Sequence, residues 1–129
     1  MILLDTHVWL RWLAPVAHPL PAKALAAIAV ADSLAVSAIS CWEVVQLHKR
    51  GRIELQMDAD QWLGKALEGS GVGCIAITRE IAARAANLGD VHRDPADRFI
   101  MASAVVMGIP LLTLDEAIHQ YPEMAGLLV

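Results

Sequence analysis

The chain has 129 residues and a mass of 13.9 kDa, which suits one domain and leaves little room for a second. An apolar fraction of 57% and a mean hydropathy of +0.49 exclude global disorder, and 22 alanines against six Trp, Tyr and Phe residues make much of that apolar content small. A formal charge of −4 excludes a protein held to nucleic acid by broad positive charge alone, so any such contact must be local, metal-assisted or shared with a partner.

In chain order, residues 2–4 read as a short strand stopped at Asp5. Residues 7–13 turn helical and end at Ala14-Pro15. Pro19 and Pro21 open a helix over about residues 22–31, and residues 34–36 are a second strand. Residues 37–50 read as a helix closed by Gly51. Asp58 caps a helix running to about residue 68, with Gln61 in the capping-box position. A third strand over 72–77 follows the Gly69-Ser70-Gly71 loop. A helix over 78–88 ends at Gly89, residues 90–93 form a polar loop, and a helix over 95–107 stops at Gly108. Residues 109–112 are a fourth strand, where Pro110 favours an early or edge position. Thr113 starts a last helix that ends before Pro122, and residues 127–129 add a final strand.

Short strands alternating with helices predict a single α/β domain over residues 1–129: a sandwich around a short, mostly parallel sheet. No run of eighteen apolar residues is present, so no membrane span is expected. No basic segment precedes the first apolar residues, so no signal peptide is expected and the location expected is cytoplasmic. Cys41 and Cys74 fit no metal spacing and read as buried, reduced thiols; a disulfide is left open but unneeded by a core of this size. Trp9, Trp12, Trp42 and Trp62 read as core or interface packing.

The carboxylates carry the chemical information. Asp5 ends the first strand and Asp115 follows the fourth, and in a parallel sheet both fall at the carboxyl edge, where ligands bind. Glu43 lies in the helix after the second strand, and Asp94 and Asp97 open the helix before the fourth. Four or five carboxylates on one edge repel one another unless a counter-ion is present. Oxygen ligands of this kind suit Mg²⁺ or Mn²⁺, and no His/Cys cluster of zinc type competes.

Each acid also has a structural reading. Ser40-x-x-Glu43 matches a capping box, Asp94-Pro95-Ala96-Asp97 is an N-cap with proline at N1, and Thr113-x-x-Glu116 makes Asp115 a first-turn acid. Asp5 is the least explained by capping. A dehalogenase-like phosphatase would need a second Asp where His7 stands, a receiver domain would need a lysine beyond Lys65, and no P-loop is present. The residues alone thus point to Mg²⁺-dependent phosphoryl chemistry.

Four blocks resemble a known family. Leu3-Leu4-Asp5-Thr6-His7-Val8-Trp9 is similar to the opening of PIN-domain ribonucleases, in particular VapC-type toxins of bacterial toxin–antitoxin pairs. Ser37-x-x-Ser40-x-Trp42-Glu43-Val44, with Lys49 to Ile53 after it, is similar to the family's second block. His92-Arg93-Asp94-Pro95-Ala96-Asp97-Arg98-Phe99-Ile100 and Leu112-Thr113-Leu114-Asp115 are similar to its third and fourth, in the family's order. The family's acids fall on Asp5, Glu43, Asp97 and Asp115, and Asp94 resembles an extra acid of one subgroup, which usually has Phe where Ala96 stands.

The resemblance implies a three-layer α/β/α sandwich and an endoribonuclease that uses Mg²⁺, with Mn²⁺ substituting. Asp5, Asp97 and Asp115 would hold the metal, and Glu43 would ligate a second ion or orient water. Thr113 and Asp94 would act in support, and Arg93 and Arg98 would meet phosphates. The implied partners are a cognate antitoxin whose C-terminal segment covers the site, the RNA substrate, a second copy in a homodimer, and promoter DNA only through the antitoxin; no membrane is implied. The alternative is a catalytically weak or inactive module that binds protein or nucleic acid and keeps the acids as a relic.

Overall fold

The computed structural model describes residues 1–14, 19–90 and 94–129. Among them, four strands and seven helices run in the order β1 (Ile2–Leu4), α1 (Thr6–Leu13), α2 (Ala22–Val30), β2 (Leu34–Ser37), α3 (Ala38–Lys49), α4 (Ala59–Leu67), β3 (Gly73–Ile75), α5 (Arg79–Asn87), α6 (Pro95–Met107), β4 (Leu111–Leu112) and α7 (Glu116–His119). A short 3₁₀ turn, Pro122–Met124, precedes the C-terminal residues. The strands form one parallel sheet in the order β3-β2-β1-β4. The expected three-layer sandwich is what forms.

The register explains the two outer layers. Leu3 pairs with Ala35 and Leu111, and all three face one cluster filled by α5, α6 and α7 through residues such as Ile81, Ile100, Met101 and Ile118. Leu4 pairs with Leu112; with Val36 they face the opposite cluster, which contains Val8 and Trp9 of α1, Ala24 and Ile28 of α2, and Ala66 of α4. Both faces of each short strand are therefore apolar, as a covered parallel sheet requires. Complete burial of Leu3 and Leu4 contributes roughly 2 kcal/mol each. Trp9 is fully buried and meets Trp62 edge-on, with ring centroids 5.1 Å apart at 61°. Trp12 packs partly buried on the same cluster, whereas Trp42 is 55% exposed and belongs to no core.

Asp58 and Asp94 cap their helices as the sequence predicts, and Ser37 and Thr78 cap two more. Ser37 accepts from the Ile39 N–H, Asp58 from Gln61, Thr78 from Ile81 and Asp94 from Ala96. Gly108 ends α6 at a φ of 64°, a left-handed conformation that glycine adopts without a Cβ penalty.

Several boundaries differ from the sequence expectation. The third and fourth strands are shorter, because β3 pairs only as far as Ser37↔Ile75 and β4 only through Leu111 and Leu112. Pro110 stands just before β4, at the sheet edge, where its carbonyl accepts from Leu3 and its missing N–H costs no ladder bond. Residues 127–129 contribute a single parallel bridge, Leu111↔Leu128, rather than a strand. The last helix begins at Glu116, not Thr113; Asp115 is its N-cap and accepts from Ala117 N at 2.9 Å, because the Thr113 hydroxyl is engaged elsewhere. Both cysteines are free, and Cys74 is exposed rather than buried because β3 is the edge strand. The expected stop at Pro15 lies outside the described residues. Among the described residues no helix is long and apolar enough to cross a membrane.

Candidate active site

The site grows from the end of β1. Because β1 and β4 are adjacent and parallel, the chain leaves both at the carboxyl edge, and the Asp5 N–H donates to the Leu112 carbonyl at 3.0 Å. Asp5 occupies the N-cap position of α1, but its side chain caps nothing. It is 3% exposed; its Oδ2 accepts from the Thr113 hydroxyl at 2.6 Å, and its Oδ1 is buried with no hydrogen-bond partner among the described residues. Thr113 accepts in turn from the Asp115 N–H at 3.1 Å. The two strand ends are thus joined by a chain from Asp115 N–H through Thr113 to Asp5, and the ordinary reading of Asp5 as a cap fails.

Glu43 is brought in from α3. Ser37, not Ser40, caps that helix, so the capping-box reading of Ser40-x-x-Glu43 is a correction. The spacing of three instead places Ser40 and Glu43 on one helix face. Both meet Thr6, whose hydroxyl donates to Glu43 Oε1 and lies 2.7 Å from Ser40 Oγ. A threonine hydroxyl has one proton, so with that proton on Glu43 it accepts from Ser40. Thr6 and Ser40 are fully buried and were not recognised as site residues from sequence. The signal available was the Asp5-Thr6 pair at a strand end, which sends one polar side chain to β4 and the next to α3.

Asp97 sits in the first turn of α6, 7% exposed, and Asp94 caps that helix from the surface, accepting from Ala96 N at 3.1 Å. Asp94→Ala should therefore cost about 1 kcal/mol of stability, whereas Asp94→Ser should keep the cap; paired thermal melts check this. Arg98 is placed differently from expectation. Its guanidinium donates to the carbonyls of Leu88 and Gly89, both at 2.7 Å, and to Ala85 and Ala86 at 3.1 and 3.4 Å. It closes the C-terminal end of α5, which leaves the phosphate contact expected of it without support. Arg93 lies outside the described residues.

The charges interact across these elements. Burial raises the pKa of Asp5; the Thr113 hydrogen bond and nearby His7 pull it down, and Asp115 pushes it up. Burial also raises the pKa of Glu43, opposed by Thr6 and His7 and reinforced by Asp94 and Asp5. His7, which no spacing argument singled out, is thus a neighbour of both acids. Between the unfolded pKa values and these raised ones, the native state binds more protons than the unfolded chain, so its stability falls as pH rises. Without divalent cation, the melting temperature should decline as pH rises above the ordinary carboxylate range, and Asp5→Asn and Glu43→Gln should each flatten that decline. A slope unchanged in both variants would show that neither acid is strained.

Among the described residues no group of three or more His, Cys, Asp or Glu side chains stands close enough to hold a metal ion. The expected cluster is therefore not preassembled, in keeping with the repulsion among Asp5, Glu43, Asp94 and Asp115. The residues nonetheless fit a hard cation. Every donor is a carboxylate oxygen, and Asp5 Oδ1 is a buried acceptor that no donor among the described residues satisfies by hydrogen-bond geometry.

Comparison with known proteins agrees with this geometry. The PIN domain family model matches residues 2–124. The chain is 39% identical over 124 residues to the Mycobacterium tuberculosis protein Ribonuclease VapC22, covering 94% of this chain and 93% of that one. Its fold is similar to a chain of a toxin–antitoxin complex from Klebsiella pneumoniae, with a TM-score of 0.66 at 24% identity and coverage of 100% and 96%. It is also similar to a chain of VapBC2 from Rickettsia felis bound to a promoter DNA fragment, with a TM-score of 0.70 at 17% identity and coverage of 100% and 98%. A buried acid at the end of β1, a second on α3 and a family match over nearly the whole chain have one reading: this protein belongs to the PIN-domain family and is closely related to the VapC-type toxins of type II toxin–antitoxin systems.

Proposed function

We propose that the protein is a Mg²⁺-dependent endoribonuclease toxin held in check by a cognate antitoxin. The observation that carries the reading is Asp5: buried at the carboxyl edge, fixed by Thr113 through one oxygen, and unpartnered at the other. Asp5, Asp97 and Asp115 would hold the ion, and Glu43 would act on the attacking water. When bound, Mg²⁺ supplies positive charge that activates water and offsets the charge of a phosphodiester under attack.

The chain's own groups do the rest. Thr113 holds the Asp5 carboxylate in one orientation, and the first turn of α7 keeps Asp115 beside it. Thr6 occupies Glu43 Oε1, so Oε2 is the atom that takes a proton from the attacking water. Burial raises the pKa of Glu43, which makes its carboxylate a stronger proton acceptor. Water attacks phosphorus in line, the P–O3′ bond breaks with its electron pair on O3′, and O3′ takes a proton from solvent, leaving a 5′-phosphate and a 3′-hydroxyl. The ribose 2′-hydroxyl takes no part, so preference for RNA rests on shape.

Cleavage of RNA in Mg²⁺, its loss in EDTA and its return with Mn²⁺ are the expected results. Cleavage unaffected by EDTA would overturn the metal reading, and no cleavage with either ion would favour the inactive binding module. Asp97→Ser should lose activity and Asp94→Ser should keep most of it; equal loss in two well-folded variants would bring Asp94 into the ion's shell.

The partners proposed are the antitoxin, promoter DNA through it, and a second copy of this chain. Exposed Leu25, Trp42, Met107 and Val30, the last 82% exposed, leave apolar surface that association would cover. Sedimentation should show a dimer at micromolar concentration; a 13.9 kDa monomer alone would count against self-association.

A further inference from the structure

Two thiols take no part in the chemistry of the acids. Cys74 is exposed on β3, the edge strand, and Cys41 is partly buried in the first turn of α3. In the β2–β3 ladder Cys74 pairs with Val36, and paired residues of a parallel ladder project to the same face. Val36 belongs to the cluster containing Leu4, Trp9 and Leu112, and Cys41 packs against that same cluster. The alternation holds one residue further on, where Ile75 turns to the opposite cluster. Ladder and helix therefore bring both sulfurs to one face of the sheet, where burial first and the neighbouring Cys74 second push the Cys41 thiol up to about 11.

We propose that Cys41 and Cys74 form a dithiol site that low-molecular-weight disulfides oxidise to an intramolecular disulfide joining α3 to β3. The accessible Cys74 sulfur, as thiolate, attacks one sulfur of the small disulfide, breaks its S–S bond and expels one thiolate. The Cys41 sulfur then attacks the Cys74 sulfur of that mixed disulfide and expels the second thiolate. Two protein thiols lose two protons and two electrons, and the small disulfide becomes two thiols. The bond would tie the edge strand to the turn of α3 that carries Ser40 just before Cys41 and leads into Glu43 two residues after it.

The test treats the folded, full-length protein with oxidised glutathione, quenches with an alkylating reagent, and reads intact mass and the peptide map. The wild type should lose both alkylatable thiols together, fall in mass by two hydrogens, about 2 Da, and yield a linked Cys41–Cys74 peptide. Cys41→Ser should stop at a stable glutathione adduct on Cys74, and Cys74→Ser should form no internal link. A wild type that also stops at the Cys74 adduct, or that pairs through Cys74 into a dimer on a non-reducing gel, overturns the proposal. The thiol count is independent of whether the chain cleaves RNA.

Discussion

Asp5→Asn should reduce RNA cleavage by roughly a thousandfold and abolish tight divalent-cation binding, while leaving the fold intact. Asparagine is nearly isosteric and still offers Thr113 an acceptor at the position of Oδ2, so the link between the ends of β1 and β4 survives. What disappears is the negative charge whose second oxygen lies buried without a partner. That charge is costly in the absence of a cation, since burial alone pushes the Asp5 pKa up. The same variant should therefore melt at or above wild type in EDTA at about pH 8, and the order should narrow or reverse in saturating Mg²⁺, where only wild type gains from binding. Single-turnover cleavage and paired melting curves check both parts. A variant that cleaves like wild type refutes the role of Asp5; one that melts far below wild type in EDTA shows that the carboxylate supports the fold.

Arg98→Ala should destabilise the protein by about 2–4 kcal/mol, lowering the melting temperature by roughly 10 °C. The guanidinium reaches four carbonyls at the end of α5 from its seat on α6, and it lies within 3.5 Å of the Tyr121 hydroxyl. Its positive charge sits where the α5 dipole is negative. Alanine leaves those carbonyls to water and loosens the packing of α5 on α6. Activity measured well below the melting transition should stay within a few-fold of wild type. If stability is unchanged and KM for RNA rises instead, Arg98 contacts phosphate after all.

Local rules settled much of this molecule. Alternating short apolar runs and helices determined a covered parallel sheet, because strands buried on both faces must be apolar throughout. Asp58, Thr78, Asp94 and Gly108 marked helix ends, because capping depends on a few neighbouring dihedrals and one side chain. Asp5 stood out for the complementary reason: nothing local explained it. The capping-box reading of Ser40-x-x-Glu43 and the helix start at Thr113 misled, because each obeys a local rule yet the side chains have partners 34, 37 or 108 residues away that no local pattern reveals. Strand order put β1 beside β4 and so joined Asp5 to Thr113 and Asp115. The same order left β3 at the edge and exposed Cys74, which composition had placed inside. A short sequence window can hold a cap, a turn or a periodicity; which polar groups become neighbours across layers, and which of them lose water, is decided only when the sheet is assembled and covered.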